Sequence, residues 1–189
     1  KAKNINLSNL EFLLADAENL AFQVNYFDRI FCASAFIWMS DLVNSLLHWR
    51  TFLKPGGIIG IQAFAETAFV GGVITQKIAE KYGISYLMSK PTGTIEKCQN
   101  LLQQANFELV EIKVEQNGNY ISLESAKRMW AGSSHPVPGQ YPCPLSKLST
   151  QQLNQAKLEF EGELKSLQTD NGIWNDINTF YIYGRKSTI

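Results

Sequence analysis

Asp16 is the residue best placed for ligand chemistry. It ends the apolar run Leu10–Ala15 in the order LEFLLAD and is followed by the small Ala17 and the acidic Glu18. In parallel sheets ligands bind outside the carboxyl ends of strands, so a carboxylate there can accept a ligand hydrogen bond. The same aspartate can also cap the short turn DAENL, and both readings stand. Glu66 leaves a second apolar run, Ile58–Phe64, at its carboxyl end, where it either orients a substrate or caps the next helix. His135 lies in a proline-rich stretch; it is a general base or a solvated loop histidine. Trp38, Trp130 and Tyr141 are aromatic candidates for a pocket lining, and Trp38 is equally a core aromatic. Cys32, Cys98 and Cys143 are scattered, with no metal-ligand spacing, and read as reduced thiols with no metal expected. The pairs Gly56-Gly57 and Gly71-Gly72 do not follow a strand in a G-x-G-x-x-G frame, so neither is a dinucleotide fingerprint.

The elements that would position these residues follow from periodicity. Leu10–Ala15, Phe27–Ser34 and Ile58–Phe64 are short runs apolar on both parities, as in strands buried on both faces of a parallel sheet. Between the last two, Leu42, Leu46, Trp49 and Leu53 recur at helical steps over Ser40–Leu53, with Ser40 or Asp41 as N-cap and Pro55-Gly56-Gly57 as the stop. Strand, helix, glycine turn and strand make half of a doubly wound α/β domain. Ala68–Tyr82 reads as an apolar helix interrupted by Gly71-Gly72, suited to a mobile cover. Thr92 or Thr94 starts a helix with Ile95, Cys98, Leu101, Leu102 and Ala105 buried, and Asn106 takes its left-handed end. Phe107–Glu115 alternates Val110, Ile112 and Val114 with charged residues, as at a sheet edge. Leu123–Trp130 reads as a short helix, and four of the six prolines then fall within 136–144. Ser149 and Gln152 form a capping box for a helix whose stripe is Leu153, Ala156, Phe160, Leu164 and Leu167. Gly172–Asp176 turns the chain into a last strand, Thr179–Arg185.

The order DAENLAF, FDRIFCASAFIWMSD, FLKPGGIIGI resembles the class I S-adenosylmethionine-dependent methyltransferases, from Leu10 to Lys186. The likeness is to their small-molecule branch, with the trans-aconitate and malonyl-carrier-protein methyl-ester-forming enzymes. It implies an α/β, Rossmann-like sheet with an antiparallel C-terminal edge, in the strand order Phe27, Ile58, Thr179, Phe107. The Leu10 strand stands apart from the Phe27 strand, because the family's first strand, glycine-rich loop and second strand belong between them and upstream. As given, residues 1–189 then form one methyltransferase domain lacking that loop, with cover segments at 68–90 and 116–170. The resemblance also implies S-adenosylmethionine as cofactor. Asp16 would face the adenine amino group, Ala17 and Glu18 would flank the ring, Ala33 and Ser34 would pass close to the cofactor, and Phe36 would wall it. Trp38, Glu66, Trp130, His135 and Tyr141 would line the acceptor pocket. Ile37 stands where relatives carry histidine, so no acid–base role transfers to it and no catalytic residue is identified. An already activated methyl group needs alignment more than a base, and this favours a small organic acceptor such as a carboxylate.

Composition narrows the alternatives. At 189 residues with 45% hydrophobic content, the chain is long enough for one well-filled core. Seventeen basic and seventeen acidic residues cancel, leaving no broad field for nucleic acid or an anionic membrane. No apolar run approaches the roughly 18 residues of a membrane span, and the expected setting is cytoplasmic. Apolar strand edges left open would favour a homodimer. Three other readings are a non-catalytic methyltransferase-like partner module, a methyltransferase acting on nitrogen, phenol or carbon, and a nicotinamide-dependent oxidoreductase. The antiparallel tail speaks against the last.

Overall fold

The computed structural model describes residues 8–85, 89–130 and 144–188. The first strand is β1 (Phe27–Ala33), followed by helix α1 (Leu42–Phe52) and β2 (Leu53–Phe64). Asp41 caps α1 by accepting from the Asn44 N–H at 2.9 Å. β1 and β2 pair in parallel, with Phe27 opposite Leu53 and Arg29 opposite Ile58. The intervening Lys54–Gly57 bulges out of the ladder, and Gly56 supplies the left-handed φ of 76° that this bulge requires.

Helix α2 (Val70–Lys81) and helix α3 (Ile95–Gln104) follow, then the edge strand β3 (Phe107–Glu115). A short strand β4 (Gly118–Ile121), helix α4 (Leu123–Lys127), helix α5 (Thr150–Ser166), strand β5 (Ile173–Asp176) and strand β6 (Thr179–Lys186) complete the described chain. The main sheet runs β1-β2-β6-β3, with β6 antiparallel to both neighbours, the order the sequence implies. Asn106 takes its left-handed turn at φ 58°, and the Ser149–Gln152 capping box is formed.

Four expectations are corrected. Leu10–Ala15 is not a buried strand. It has no ladder partner among the described residues, and Leu10, Phe12, Leu13 and Leu14 are exposed, because an apolar run becomes a strand only beside a neighbour that takes up its amides. Gly172–Asp176 is not only a turn: β5 pairs with β4, Ile121 opposite Ile173, in a second small sheet. β3 does not keep one buried face. Its register shifts between Leu109 and Glu111, leaving Val110 unpaired, so Leu109, Val110 and Val114 are exposed and Ile112 is half-buried. The glycines of α2 do not interrupt it. Gly71 and Gly72 are buried, and a Cβ on Gly71 would lie 2.3 Å from the Met129 Cβ. The pair lets two elements approach closely. Gly71→Val should therefore destabilise the fold by roughly 1–3 kcal/mol, read as a lower urea midpoint at unchanged slope. A midpoint within error of the parent would show that Met129 moves aside freely.

Two cores result. α1 and α3 pack Leu46, Trp49, Phe52, Cys98 and Leu102 on one face of the main sheet against Ile59 and Ile61. Burial pushes the Cys98 thiol up to about 12, so it stays neutral there. The second core joins Val70, Ile74 and Ile78 of α2 to Phe160 and Leu164 of α5, Ala126 of α4 and Ile173 of β5. Lys77–Glu163 and Lys81–Glu159 pairs, at 2.9 and 3.1 Å, run along the α2–α5 seam.

Candidate functional site

Residues 16–20 keep their place without a strand because α1 holds them. Ala17–Asn19 form one 3-10 turn capped by Asp16, whose carboxylate accepts from the Glu18 N–H at 3.0 Å and the Asn19 side chain at 2.7 Å. Those two donors hold the Asp16 carboxyl below the usual carboxylate range, so it is an anion at neutral pH. From α1, the Trp49 indole donates to the Ala17 carbonyl at 2.8 Å, and the His48 Nε2 bonds the Leu20 carbonyl at 2.9 Å. The buried indole N–H needs an acceptor, and the turn supplies one.

Glu18 closes the other side. Its Oε1 accepts from the Ser40 N–H at 2.9 Å, the Ser40 hydroxyl at 2.8 Å and the Asp41 N–H at 3.3 Å, at the entrance of α1. Partial burial pushes its pKa up, but the donors from Ser40, Asp41 and Ser45 outweigh this and leave it lowered. The carboxylate meets the positive end of a helix, where negative charge is favoured.

Beside this turn lies an apolar cleft of about 300 Å³, lined among others by Ala17, Leu20, Phe22, Cys32 and Trp49. The half-buried Cys32 thiol in its wall is raised by that burial. At the carboxyl ends of the parallel pair, Ala33 ends β1 and Ser34 follows with φ 53°, a left-handed conformation uncommon for serine. The Ser34 hydroxyl donates to Gln62 Oε1 of β2 at 2.9 Å. Phe36 is 1% exposed and packs on Trp49 at 5.9 Å between ring centres, so it forms a floor of the core beneath the turn. Trp38 is half-buried at the end of the adjoining 3-10 turn, Phe36–Trp38.

The structure thus brings Asp16, Ala17, Glu18, Phe36 and the Ser40–Asp41 entrance of α1 around one framework, with Ala33 and Ser34 at the end of β1. Glu66 lies two residues beyond β2, exposed, paired with Lys97 at 2.6 Å. Trp130 belongs to the second core, with its ring 5.1 Å from that of Phe160. His135 and Tyr141 lie outside the described residues. Sequence reasoning missed His48, Trp49, Ser40 and Gln62 as supports. The signal available was Trp49 itself, an indole on a buried stripe that must find an acceptor.

Residues 1–61 match the sequence profile of the family described as Methyltransferase domain. The malonyl-[acyl-carrier protein] O-methyltransferase of Geobacter sulfurreducens is 27% identical over 141 residues, covering 67% of this chain and 50% of that protein. The mitochondrial arginine-hydroxylase NDUFAF5 of Danio rerio is 28% identical over 107 residues, 55% of this chain and 33% of that protein. The chain spans about half the length, or less, of these curated relatives. A Bacillus halodurans C-125 structure assigned as a methyltransferase superposes with a TM-score of 0.55 at 15% identity, over 95% of this chain and 78% of that one. Residues 1–61 are thus similar to the methyltransferase-domain family, and the strand order and the fold of the Bacillus halodurans structure agree with that likeness.

Proposed function

We propose that this chain takes part in methyl transfer from S-adenosylmethionine to a small organic acceptor, a carboxylate being the favoured class. The observation that supports this most is the Asp16–Leu20 turn, held by α1 beside an apolar cleft at the sheet. The adenine end of the cofactor suits it. An anionic carboxylate can accept from the exocyclic amino group, Ala17 leaves room for the ring, and Leu20, Phe22 and Trp49 give the cleft its apolar wall. The bound cofactor supplies a methyl group already activated by its sulfonium. The protein's part is then to hold the adenine side, shape the space over β1 and β2, and exclude water. Ala33, Ser34 and Glu18 are assigned to the cofactor side on this reading. Trp38, Glu66, Trp130, His135 and Tyr141 are assigned to the acceptor side, with the layer of α2, α4 and α5 as the cover. A carboxylate acceptor is already a nucleophile and needs no base, which accords with Ile37 beside Trp38.

Transfer of labelled methyl from S-adenosylmethionine to a malonyl thioester, against amine and phenol acceptors, tests this reading. A base-labile methyl ester is the expected product. A product heavier by one oxygen instead of one methylene would move the reading to hydroxylation, the activity for which the Danio rerio relative is named. His135→Ala should leave turnover within about threefold, well under the 10²–10⁴ that general acid–base groups contribute. A hundredfold loss in kcat with substrate binding intact would make His135 the base and move the acceptor to amine, phenol or carbon.

A further inference from the structure

We infer that Glu18 is a positioning residue that ties the adenine-side turn to the acceptor-side turn, so that ligand bound on one is felt by the other. This rests on the reading of Asp16 and Ala17 as the adenine side. One carboxylate oxygen, Glu18 Oε1, receives the backbone N–H groups of Ser40 and Asp41 and the Ser40 hydroxyl, all within 3.3 Å. The Ser45 hydroxyl lies 3.4 Å away, its stronger bond going to the Asp41 carbonyl at 2.7 Å. On the near side, Glu18 is the central residue of the 3-10 turn capped by Asp16, and its own N–H donates to the Asp16 carboxylate. On the far side, Ser40 stands two residues after Trp38, which ends the turn that follows β1. The Trp49 indole pins Ala17 to the body of α1, and its ring packs on Phe36 without a hydrogen bond to Ser40 or Asp41.

Methyl transfer is sensitive to the spacing of donor and acceptor, and a misplacement of about 1 Å costs on the order of 10²-fold. A carboxylate that fixes the two walls against each other sets that spacing. Three donors on one anionic oxygen make the tie stiffer than a neutral bond, because hydrogen bonds to an ionised acceptor are roughly twice as strong.

Hydrogen exchange read by mass spectrometry tests the tie in the chain as it stands, with and without saturating S-adenosylhomocysteine. In the free protein, Glu18→Ala should speed exchange at both 16–20 and 40–45 by about tenfold, the rate equivalent of losing one such hydrogen bond. Glu18→Gln, whose amide oxygen still accepts, should recover most of that protection. With S-adenosylhomocysteine, protection should reach 40–45 in the parent and Glu18→Gln but stop at 16–20 in Glu18→Ala. A merely structural role would not separate the two segments in this way. The tie is overturned if 16–20 exchanges alike in Glu18→Ala and the parent, or if ligand protects 40–45 equally in both. Should Glu18→Ala not fold, Ser40→Ala removes a donor in place of the acceptor and carries the same comparison. If the parent chain shows neither heat nor protection with S-adenosylhomocysteine, the free-protein exchange alone decides the tie.

Discussion

Phe160→Ala should remove roughly 3–5 kcal/mol of folding stability, the range for deleting a fully buried aromatic ring. Phe160 is 0% exposed, on the α5 face that meets α2, and stacks obliquely on Trp130 at 5.1 Å. The cavity would open among Ile74, Ile78, Leu164 and Ile173, which are themselves held by their helices and by β5 and cannot all collapse inward. Against a whole-domain stability of about 5–15 kcal/mol, this is a large fraction. The two cores should nevertheless melt together. The Ala65 and Phe69 N–H groups donate across to the Asn178 and Asp176 carbonyls, and the Val70 N–H donates to the Asn175 side chain. One urea transition, shifted to lower denaturant, is the expected result. A loss under about 1 kcal/mol, or two separated transitions, would show that the α2–α5 layer folds independently of the sheet.

In an enzyme that also carries the glycine-rich loop, Asp16→Asn should weaken binding of S-adenosylhomocysteine about ten- to a hundredfold, since the adenine amino group is left without its acceptor. The substitution keeps size and one acceptor oxygen, enough for the Glu18 N–H that caps the turn. It turns the other oxygen into an N–H₂ group facing the Asn19 donor, and it puts a donor where the adenine amino group needs an acceptor. The residue is exposed, so the melting temperature should stay close to that of the parent, and the loss should appear in calorimetry alone. Unchanged affinity would remove Asp16 from the site. A matching loss of stability would mean that it serves the turn only. The sign with pH is fixed by the lowered carboxyl: the contribution is present above the usual carboxylate range and fades as pH falls through the depressed folded value.

Much of this molecule was legible from its residues. The runs at Phe27 and Ile58, the helical stripe through Trp49 and the capping box at Ser149 all became elements, because each carries both its pattern and its local stop signal. The order β1-β2-β6-β3 was also legible, because the resemblance implies a last strand inserted antiparallel between the parallel pair and the Phe107 edge. Asp16 was legible as a residue of interest, but how it is held was not. The sequence shows an apolar run before it and reads a strand. The fold leaves that run without ladder partners among the described residues and hangs the turn on Trp49, His48 and the entrance of α1. Hydrogen bonds spanning 22 to 32 residues have no periodicity to betray them. The same holds for Gly71 against Met129, for the bulge at Val110 and for the β4–β5 pair. A glycine, a single unpaired residue and a four-residue strand look alike in sequence whether they flex or fit. Local pattern and punctuation decide which elements exist, because those energies lie within a few residues. Which turn is pinned, which strand is wet and which glycine is a contact depend on groups brought together from distant parts of the chain.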